Sequence, residues 1–380
     1  MIGFSLTEEQ QVYVRAAREF ADNRMKPYAA DLDRRDEEYF DWGIARRFAE
    51  ANLLGLPVPE EYGGPGADYL TCALVSEELG AGCAGMTVVA GTTWLAVISI
   101  MLLGTEDQKK RYLPRICDPA GKLSALASTE TEAGSDIASM KTLAVRRGDR
   151  YVLNGSKHYI TNAGLADFYV VFATTDPTKR HAGICAFIVD GDSPGLSVGR
   201  IEDKMGLRAS RNAELVFEDV EVPAENLLGE EGMGFLVLMQ TLDSSRPCLG
   251  AISVGMARAA FDAALSYARK RRQYGRALID NQGVSFMLAD MATAIDAARL
   301  LTWRAAWLTD RGMDSTKASS MCKVNATQMA EDVCSRAMEL YGATGYSRSL
   351  PLEKYLRDAK AMSIYEGANL IQRIIISSAL

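Results

Sequence analysis

Apolar residues recur at helical spacing near the start of the chain and again over its last third. In TEEQQVYVRAAREFADNRM, Val12, Ala16 and Phe20 stand four positions apart and share one face of a predicted helix. Thr7 and Gln10 have the spacing of a capping box at the start of this helix. Long helical patterns such as SFMLADMATAIDAARLLTWRAAWL return beyond residue 239. Both ends of the chain are therefore predicted to be helical.

The middle of the chain has the pattern of β-strands. Runs such as YVLNGSKHYITNAG, FYVVFATT and AELVFEDVEVP are rich in β-branched and aromatic residues and are separated by Gly, Asn, Asp and Pro. This order differs from the strand–helix alternation of a doubly wound parallel sheet. We expect an α+β, mainly α, fold with a helical domain at residues 1–125, a β domain at 126–238 and a helical domain at 239–380.

The C-terminal segment SIYEGANLIQRIIISSAL carries a carboxylate in an apolar pattern. If the segment is one helix, Glu366, Leu370 and Ile374 share a face, with Gly367 and Ile371 beside them. Burying an ionised carboxylate without a partner is costly, so a glutamate on such a face needs a reason. We interpret Glu366 as an inward-pointing residue.

The stretch from Leu79 to Thr105 contains no charged residue and is long enough to span a bilayer. Its densest apolar run, WLAVISIMLL, is short. The charged residues nearest to the two ends of the stretch are acidic, whereas the border of a membrane span is usually basic. We therefore predict a buried core helix and no membrane span.

The same stretch contains GAGCAG, which has the glycine spacing of a dinucleotide-binding turn but follows a helical pattern. We interpret these glycines as a small-residue connection between helices.

Composition limits the classes of partner and compartment. The formal net charge of −7 and pI near 5.2 lack the basic footprint that nucleic acids require. The seven cysteines show no CxxC pairing, and MIGFSLTEEQQ lacks the pattern of a signal peptide. Neither of the two histidines has metal-ligand spacing around it. We expect a cytoplasmic protein without a metal site and without a nucleic-acid partner.

Four polar motifs admit both a binding and a structural interpretation. The hydroxyls of STETEAGSDIASMKT can donate to a polar ring edge or phosphate, or simply cap a strand. The tyrosine and threonine of KHYITNAG would point to the same side of a strand, either at a flat ring or within ordinary β core. In DSSRPCLGA, Asp243 and Arg246 are one helical turn apart, which is most often a surface pair. The basic run RKRRQYGRALIDNQ is either a solvated surface or a phosphate contact.

Taken together, these motifs resemble the acyl-CoA dehydrogenases. The segments STETEAGSD, KHYITNAG, KMGLRAS, FEDVEVPAENLLG, DSSRP, RRQYG, LYGATGY, EKYLRDAK and IYEGANLIQR follow the family's order along nearly the whole chain. The resemblance implies a β barrel between an N-terminal helical bundle and a C-terminal four-helix bundle. It also implies FAD as cofactor, α,β-desaturation of an acyl-CoA, an electron-transferring flavoprotein as electron acceptor and a homotetramer.

The resemblance implies roles for particular residues. Glu366 matches the base that removes the α proton while the β hydride passes to flavin N5. Some relatives instead place the base next to the arginine of the Arg-Pro motif, and that position is Ser245 in this chain. The implied FAD-binding residues, the last four reaching a neighbouring subunit's FAD, are Leu126, Ser128, Thr129, Gly134, Ser135, Tyr159, Thr161, Arg271, Gln273, Tyr274 and Gln282. The implied substrate-binding residues are Ser135, Asp243, Arg246, Gly91, Tyr365 and Gly367.

Several positions depart from the family pattern and leave alternatives open. Ser128, Thr131, Glu132, Glu339, Ala343, Ala368 and Leu370 replace residues that are usual near the flavin. Gly91 would leave room in the acyl pocket unless Trp94 fills it, so a medium-chain, branched or cyclic acyl group is expected. The alternatives are a relative working as an enoyl-CoA reductase, a nitroalkane oxidase or monooxygenase, and a non-catalytic acyl-CoA binding protein.

Overall fold

The computed structural model describes residues 5–380. Residues 1–4, which begin the predicted N-terminal domain and the segment judged not to be a signal peptide, lie outside the described residues. The predicted capping box is confirmed, because Thr7 Oγ1 accepts from the Gln10 backbone and the Gln10 side chain accepts from the Thr7 backbone.

Helices form the N-terminal part of the described chain. They are α1 (Glu8–Phe20), α2 (Lys26–Leu32), α3 (Trp42–Glu50), α4 (Tyr69–Leu103) and α5 (Glu106–Ile116), with a π-helical turn at Ala21–Met25 between the first two.

An eight-stranded sheet follows. Its strands are β1 (Leu123–Ala127), β2 (Leu143–Arg147), β3 (Arg150–Thr161), β4 (Ala166–Thr174), β5 (Ile184–Asp190), β6 (Leu196–Ile201), β7 (Asn212–Pro223) and β8 (Leu227–Leu228). The spatial order is β6-β7-β3-β2-β4-β5-β8, and β1 pairs with β4 in parallel.

The C-terminal part returns to helices. They are α6 (Gly234–Lys270), α7 (Gln282–Asp310), α8 (Thr316–Tyr341), α9 (Leu352–Met362) and α10 (Asn369–Ser378), with a small hairpin of β9 (Arg272–Gln273) and β10 (Arg276–Ala277) between α6 and α7. The predicted fold of helices, sheet and helices is confirmed. The division at 125/126 and 238/239 stays a prediction.

The uncharged stretch is part of α4, a buried core helix. By length and composition, α4 and α6 could each cross a membrane, but 78% and 67% of their most apolar windows are buried inside the protein. GAGCAG lies within α4 and does not follow a strand. A Cβ at Gly80 would lie 2.6 Å from the Ile252 carbonyl oxygen, so this glycine lets α4 pack directly on the α6 backbone.

The C-terminal segment is not the single helix that its periodicity predicted. Glu366 and Gly367 have φ values of 53° and 83°, and α10 begins only at Asn369. Two successive left-handed residues cannot continue a right-handed helix. The predicted apolar face is also wrong, because Leu370 and Ile374 are 72% and 59% exposed. Glu366 instead lies in the turn between α9 and α10.

A buried ion pair within α9 also binds the segment that follows the sheet strand β6. Asp358 is fully buried, and its Oδ1 accepts a 2.6 Å hydrogen bond from the Leu207 backbone N–H. Its other oxygen pairs with the buried Lys354 ammonium. Burial lowers the pKa of Lys354, but the charge of Asp358 overrides this and holds the pKa above its ordinary value. Asp358 thereby fixes the segment after β6 against the helix that leads to Glu366.

We predict that Lys354→Met lowers the free energy of unfolding by about 3–5 kcal/mol, because it leaves the Asp358 carboxylate buried without its cation. Urea unfolding monitored by circular dichroism measures the change. Lys354→Met with Asp358→Leu is the matched variant, which should recover part of the loss since no buried charge remains. A loss below about 1 kcal/mol in the single variant would contradict this assignment.

Candidate active site

One cavity of about 750 Å³ lies where the sheet meets α4, α6 and the turn between α9 and α10. Its helical wall is largely apolar and consists of Val88, Leu95, Phe235, Leu238, Met239, Leu242, Ile371 and Ile375. The sheet side contributes Leu126, Ser128, Thr129, Gly134, Ser135, Tyr159 and Thr161. Arg246, Tyr365, Glu366 and Gly367 close one end. The structure therefore brings most of the sequence-predicted site residues to one place.

Glu366 presents its carboxylate to this cavity from the turn before α10. Its Oε2 accepts a 2.9 Å hydrogen bond from the Ser245 hydroxyl. Burial raises the pKa of Glu366, while the Ser245 hydrogen bond and the charges of Arg246 and Lys323 oppose the rise without cancelling it. A carboxylate with a raised pKa is a stronger base than an exposed one.

Buried donors hold the backbone of this turn in its left-handed conformation. Lys323 Nζ and Gln372 Nε2 donate to the Gly367 carbonyl at 3.0 and 3.2 Å. Arg246 Nε donates to the Glu366 carbonyl at 3.4 Å. Gly367 has a φ of 83°, which L side chains rarely adopt, and a Cβ there would also lie 2.3 Å from Gln372 Nε2, so glycine is strongly favoured. A strained non-glycine residue such as Glu366 persists where surrounding contacts fix it in this way.

Arg246 and Asp243 are not a surface pair. Arg246 is 2% exposed, and its guanidinium binds the Asp243 carboxylate. Burial lowers the pKa of Arg246 and raises that of Asp243. Asp243 also accepts from the Thr316 hydroxyl at 2.9 Å. Arg246 lines the cavity, whereas Asp243 does not and holds the arginine from behind.

Tyr159 reaches the cavity through an irregularity in β3. The register of β3 against β7 shifts between Lys157 and Ile160, and Tyr159 has a φ of 58°. The bulge leaves Tyr159 63% exposed, so it is not β core. Thr161 lines the same cavity, and its Oγ1 accepts from Asn212 at 2.9 Å. The predicted pairing of aromatic ring and hydroxyl is present, although the strand is not regular there.

A buried ion pair lies beneath the Ser128–Thr129 segment. Lys157 Nζ donates to Glu130 Oε1 at 2.7 Å and to the Ser128 carbonyl at 3.1 Å. Burial raises the pKa of Glu130, but Lys157 more than offsets this and the pKa lies below its usual value. Burial lowers the pKa of Lys157 to about 8. The pair fixes the backbone that presents the two hydroxyls.

The sheet side of the cavity fits a flavin. Within residues 5–380, the hydroxyls of Ser128, Thr129, Ser135 and Tyr159 line the cavity and make no side-chain hydrogen bond, so they are free to bind a polar ring edge. A Cβ at Gly134 would meet nothing within 4 Å, which leaves open space beside this loop. Leu126 adds an apolar contact. Free hydroxyl donors around an apolar slot suit a flat heteroaromatic ring.

Five other predicted residues do not line this cavity: Gly91, Arg271, Gln273, Tyr274 and Gln282. Gly91 follows Val88 by three positions and precedes Leu95 by four, so it shares their helix face. Trp94 does not refill this space, since its indole N–H donates to the Leu53 and Leu54 carbonyls at 3.0 Å. Tyr274 and Gly275 form the turn of the β9–β10 hairpin, with φ values of 52° and 79°.

Lys323 is a residue beside the site that the sequence analysis missed. Its side chain is fully buried against the turn that carries Glu366. The helical pattern around it contained the signal, because Ser319, Ala326 and Ala330 share its face and are buried. A lysine on an apolar face is as unusual as the glutamate that drew attention to residue 366.

Comparison with known proteins covers the whole described chain. The models for the acyl-CoA dehydrogenase N-terminal, middle and C-terminal domains match residues 7–119, 125–220 and 232–380. The short-chain specific acyl-CoA dehydrogenase of Clostridium acetobutylicum is 42% identical over 378 residues, which is 99% of each protein.

Two solved structures are similarly close. A chain in the structure of the electron-transferring flavoprotein of Acidaminococcus fermentans is 42% identical, with a TM-score of 0.96 over 100% of this chain and 99% of that one. Butyryl-CoA dehydrogenase of Megasphaera elsdenii is 38% identical, with a TM-score of 0.96 over 100% and 99% of the two chains. The chain belongs to the acyl-CoA dehydrogenase family, whose members are FAD-dependent oxidoreductases that dehydrogenate acyl-CoA thioesters.

Proposed function

We propose that Glu366 is the general base that removes the α proton of a bound acyl-CoA. The observation that carries this proposal is the position of its carboxylate, at the end of an apolar cavity and on a turn that buried donors hold. Burial raises its pKa and so increases its basicity. The Ser245 hydroxyl donates to Oε2, which orients the carboxylate.

The sheet side of the cavity would hold FAD through Leu126, Ser128, Thr129, Gly134, Ser135, Tyr159 and Thr161. When bound, FAD supplies the acceptor for the hydride that leaves the substrate's β carbon. Apolar residues of α4, α6 and α10 line the cavity together with the Glu366 carboxylate, and the hydroxyls come from the sheet side. We propose that Arg246, Tyr365 and Gly367 contact the substrate near its thioester, with Asp243 fixing Arg246.

We predict that Glu366→Gln retains its fold and bound FAD but loses bleaching of the flavin by acyl-CoA by at least about 100-fold, because an amide does not accept the α proton. Anaerobic stopped-flow absorbance measures the rate. Ser245→Ala is the matched control, which removes the orienting hydroxyl but keeps the base and should slow bleaching less. Retained turnover in Glu366→Gln would place the base elsewhere.

The same experiment separates the alternative functions. A protein that stays colourless with added FAD would indicate an acyl-CoA binding protein without catalysis. A holoenzyme that no acyl-CoA bleaches, but that consumes oxygen with a nitroalkane, would indicate the oxidase alternative. Reoxidation of the reduced flavin by an enoyl-CoA would show that the site also works in the reductase direction.

We propose a short acyl group as the substrate class. The cavity of about 750 Å³ has to hold the flavin ring and the thioester as well as the acyl chain. The relative from C. acetobutylicum is named as short-chain specific, and that from M. elsdenii as a butyryl-CoA dehydrogenase. A branched or cyclic acyl group is the second candidate, favoured by the open space beside Gly91, where a Cβ would meet nothing within 4 Å.

We predict that Gly91→Leu reduces bleaching by branched and cyclic acyl-CoAs more than bleaching by straight short ones, because the new side chain fills the space next to Val88 and Leu95. Initial bleaching rates across a matched set of acyl-CoAs measure the change in preference. Gly91→Ala is the control. It adds little volume, so it should change the preference between branched or cyclic and straight short acyl-CoAs less than Gly91→Leu does. Equal losses for all substrates in Gly91→Leu would show that position 91 does not border the acyl group.

We propose a cytoplasmic homotetramer that passes electrons to an electron-transferring flavoprotein. A chain 42% identical to this one is found in a structure of such a flavoprotein. All seven cysteines are free, as in a reducing compartment. Arg271, Gln273, Tyr274 and Gln282 do not line the cavity, and all four are exposed, so they are available to a neighbouring subunit's FAD.

We predict that Arg271→Ala lowers FAD retention because it removes a charge-assisted contact to the cofactor of the neighbouring subunit. The flavin-to-protein absorbance ratio after gel filtration measures retention, and light scattering gives the oligomeric state. Arg269→Ala is the matched control, an exposed arginine two positions away on the same basic run. Equal FAD retention in both variants would contradict the proposed role of Arg271.

A further inference from the structure

Lys323 differs from the other buried lysines of the described chain. Lys157, Lys323 and Lys354 are 0%, 0% and 5% exposed. Lys157 pairs with Glu130, and Lys354 pairs with Asp358. Lys323 forms no direct ion pair with any carboxylate in residues 5–380. A buried ammonium without its own counter-ion is costly, so its charge needs another explanation.

The ammonium contacts both ends of the segment between Glu366 and α10. Lys323 Nζ donates to the Gly367 carbonyl at 3.0 Å and to Asn369 Oδ1 at 2.9 Å. Asn369 Nδ2 donates to Thr327 Oγ1 at 3.0 Å, one turn further along α8. These contacts tie α8 to the residue that follows Glu366 and to the first residue of α10. Lys323 therefore fixes the left-handed turn from α8.

The buried positive and negative charges around the turn are equal in number only if Lys323 is paired with Glu366. Arg246 binds the Asp243 carboxylate directly. This leaves one buried cation, Lys323, and one carboxylate at the cavity end, Glu366, separated by Gly367. Burial lowers the pKa of Lys323 to about 8, and the charge of Glu366 is the largest influence opposing that fall. A neutral donor would suffice for the hydrogen bonds alone.

We propose that Lys323 is a positioning residue for Glu366, and that its buried ammonium both fixes the turn and supplies the positive charge that keeps the Glu366 carboxylate ionised and ready to accept a proton. This inference rests on the proposed role of Glu366 as the base.

The other groups that act on Glu366 are accounted for. Ser245 and Arg246 face it from α6, and both lower its pKa. Cys248 of α6 and the neighbouring Tyr365 both have raised pKa values, so they are neutral over the working range. On α8, Glu331 is the acidic residue that influences Lys323. Lys323 is thus the remaining source of positive charge that can be removed without touching the cavity wall.

The test compares pH profiles of flavin bleaching in the Lys323→Gln and wild-type holoenzymes. Bleaching requires ionised Glu366, so its rate falls as pH decreases through the pKa of this group. Removing a nearby positive charge raises that pKa. We expect the acidic limb of the Lys323→Gln profile to move to higher pH by about one unit. Infrared difference spectroscopy against Glu366→Gln follows the protonated carboxyl directly and does not depend on turnover.

Two further variants separate charge from support. Thr327→Val removes the hydrogen bond to Asn369 and leaves every charge in place, so its acidic limb should stay where the wild type has it. Asn369→Asp gives Lys323 a counter-ion of its own and keeps the site packed, so its limb should move to higher pH as in Lys323→Gln. It also tests the proposal if Lys323→Gln does not fold.

The proposal is overturned if the acidic limb of the bleaching profile and the infrared signal of the Glu366 carboxyl stay at the wild-type pH in Lys323→Gln. If Lys323→Gln does not fold, the same result in Asn369→Asp overturns it. An equal shift in Thr327→Val would also overturn it, because support of the turn would then explain the effect. If Glu366→Gln retains turnover, the base assignment itself fails. If Glu366→Gln is inactive while the titration is unmoved, only the role of Lys323 fails.

Discussion

The site depends on holding a carboxylate in a place that disfavours its charge. Glu366 lies in a left-handed turn at the end of an apolar cavity, where burial raises its pKa. A guanidinium donates to its carbonyl, an ammonium and an amide donate to the carbonyl of the next residue, Gly367, and one hydroxyl holds its side chain. The same groups resolve both problems, since they fix the strained backbone and offset the cost of the buried charge.

These groups come from different parts of the fold. Ser245 and Arg246 lie on α6 and Lys323 on α8, and the buried Asp358–Lys354 pair holds α9 to the backbone of Leu207 beyond β6. The hydroxyls that line the same cavity lie on the sheet and the loop after β1. No single domain could therefore form the site. The helix–sheet–helix order is what brings Glu366 and the hydroxyls of the sheet side to the same cavity.

Much of this was accessible from the sequence, and the failures have physical causes. Apolar periodicity predicted the helices and strands because tertiary burial imposes it. The inward direction of Glu366 was predicted for the wrong reason, since Glu366 and Gly367 are both left-handed and the glutamate lies in a turn, not in a helix. Tyr159 reaches the cavity through a bulge that alternation along a strand does not reveal. Lys323 was missed because its partners, Gly367 and Asn369, are distant in sequence.

The central claim is that Glu366 faces the α carbon of a thioester bound against FAD. A crystal structure of the holoenzyme with an unreactive acyl-CoA analogue tests it most directly. The account predicts a Glu366 carboxylate oxygen within hydrogen-bonding reach, about 3 Å, of the α carbon, with Lys323 still bonded to the Gly367 carbonyl. An α carbon that faces a different titratable side chain, or a thioester bound away from Glu366, would contradict it.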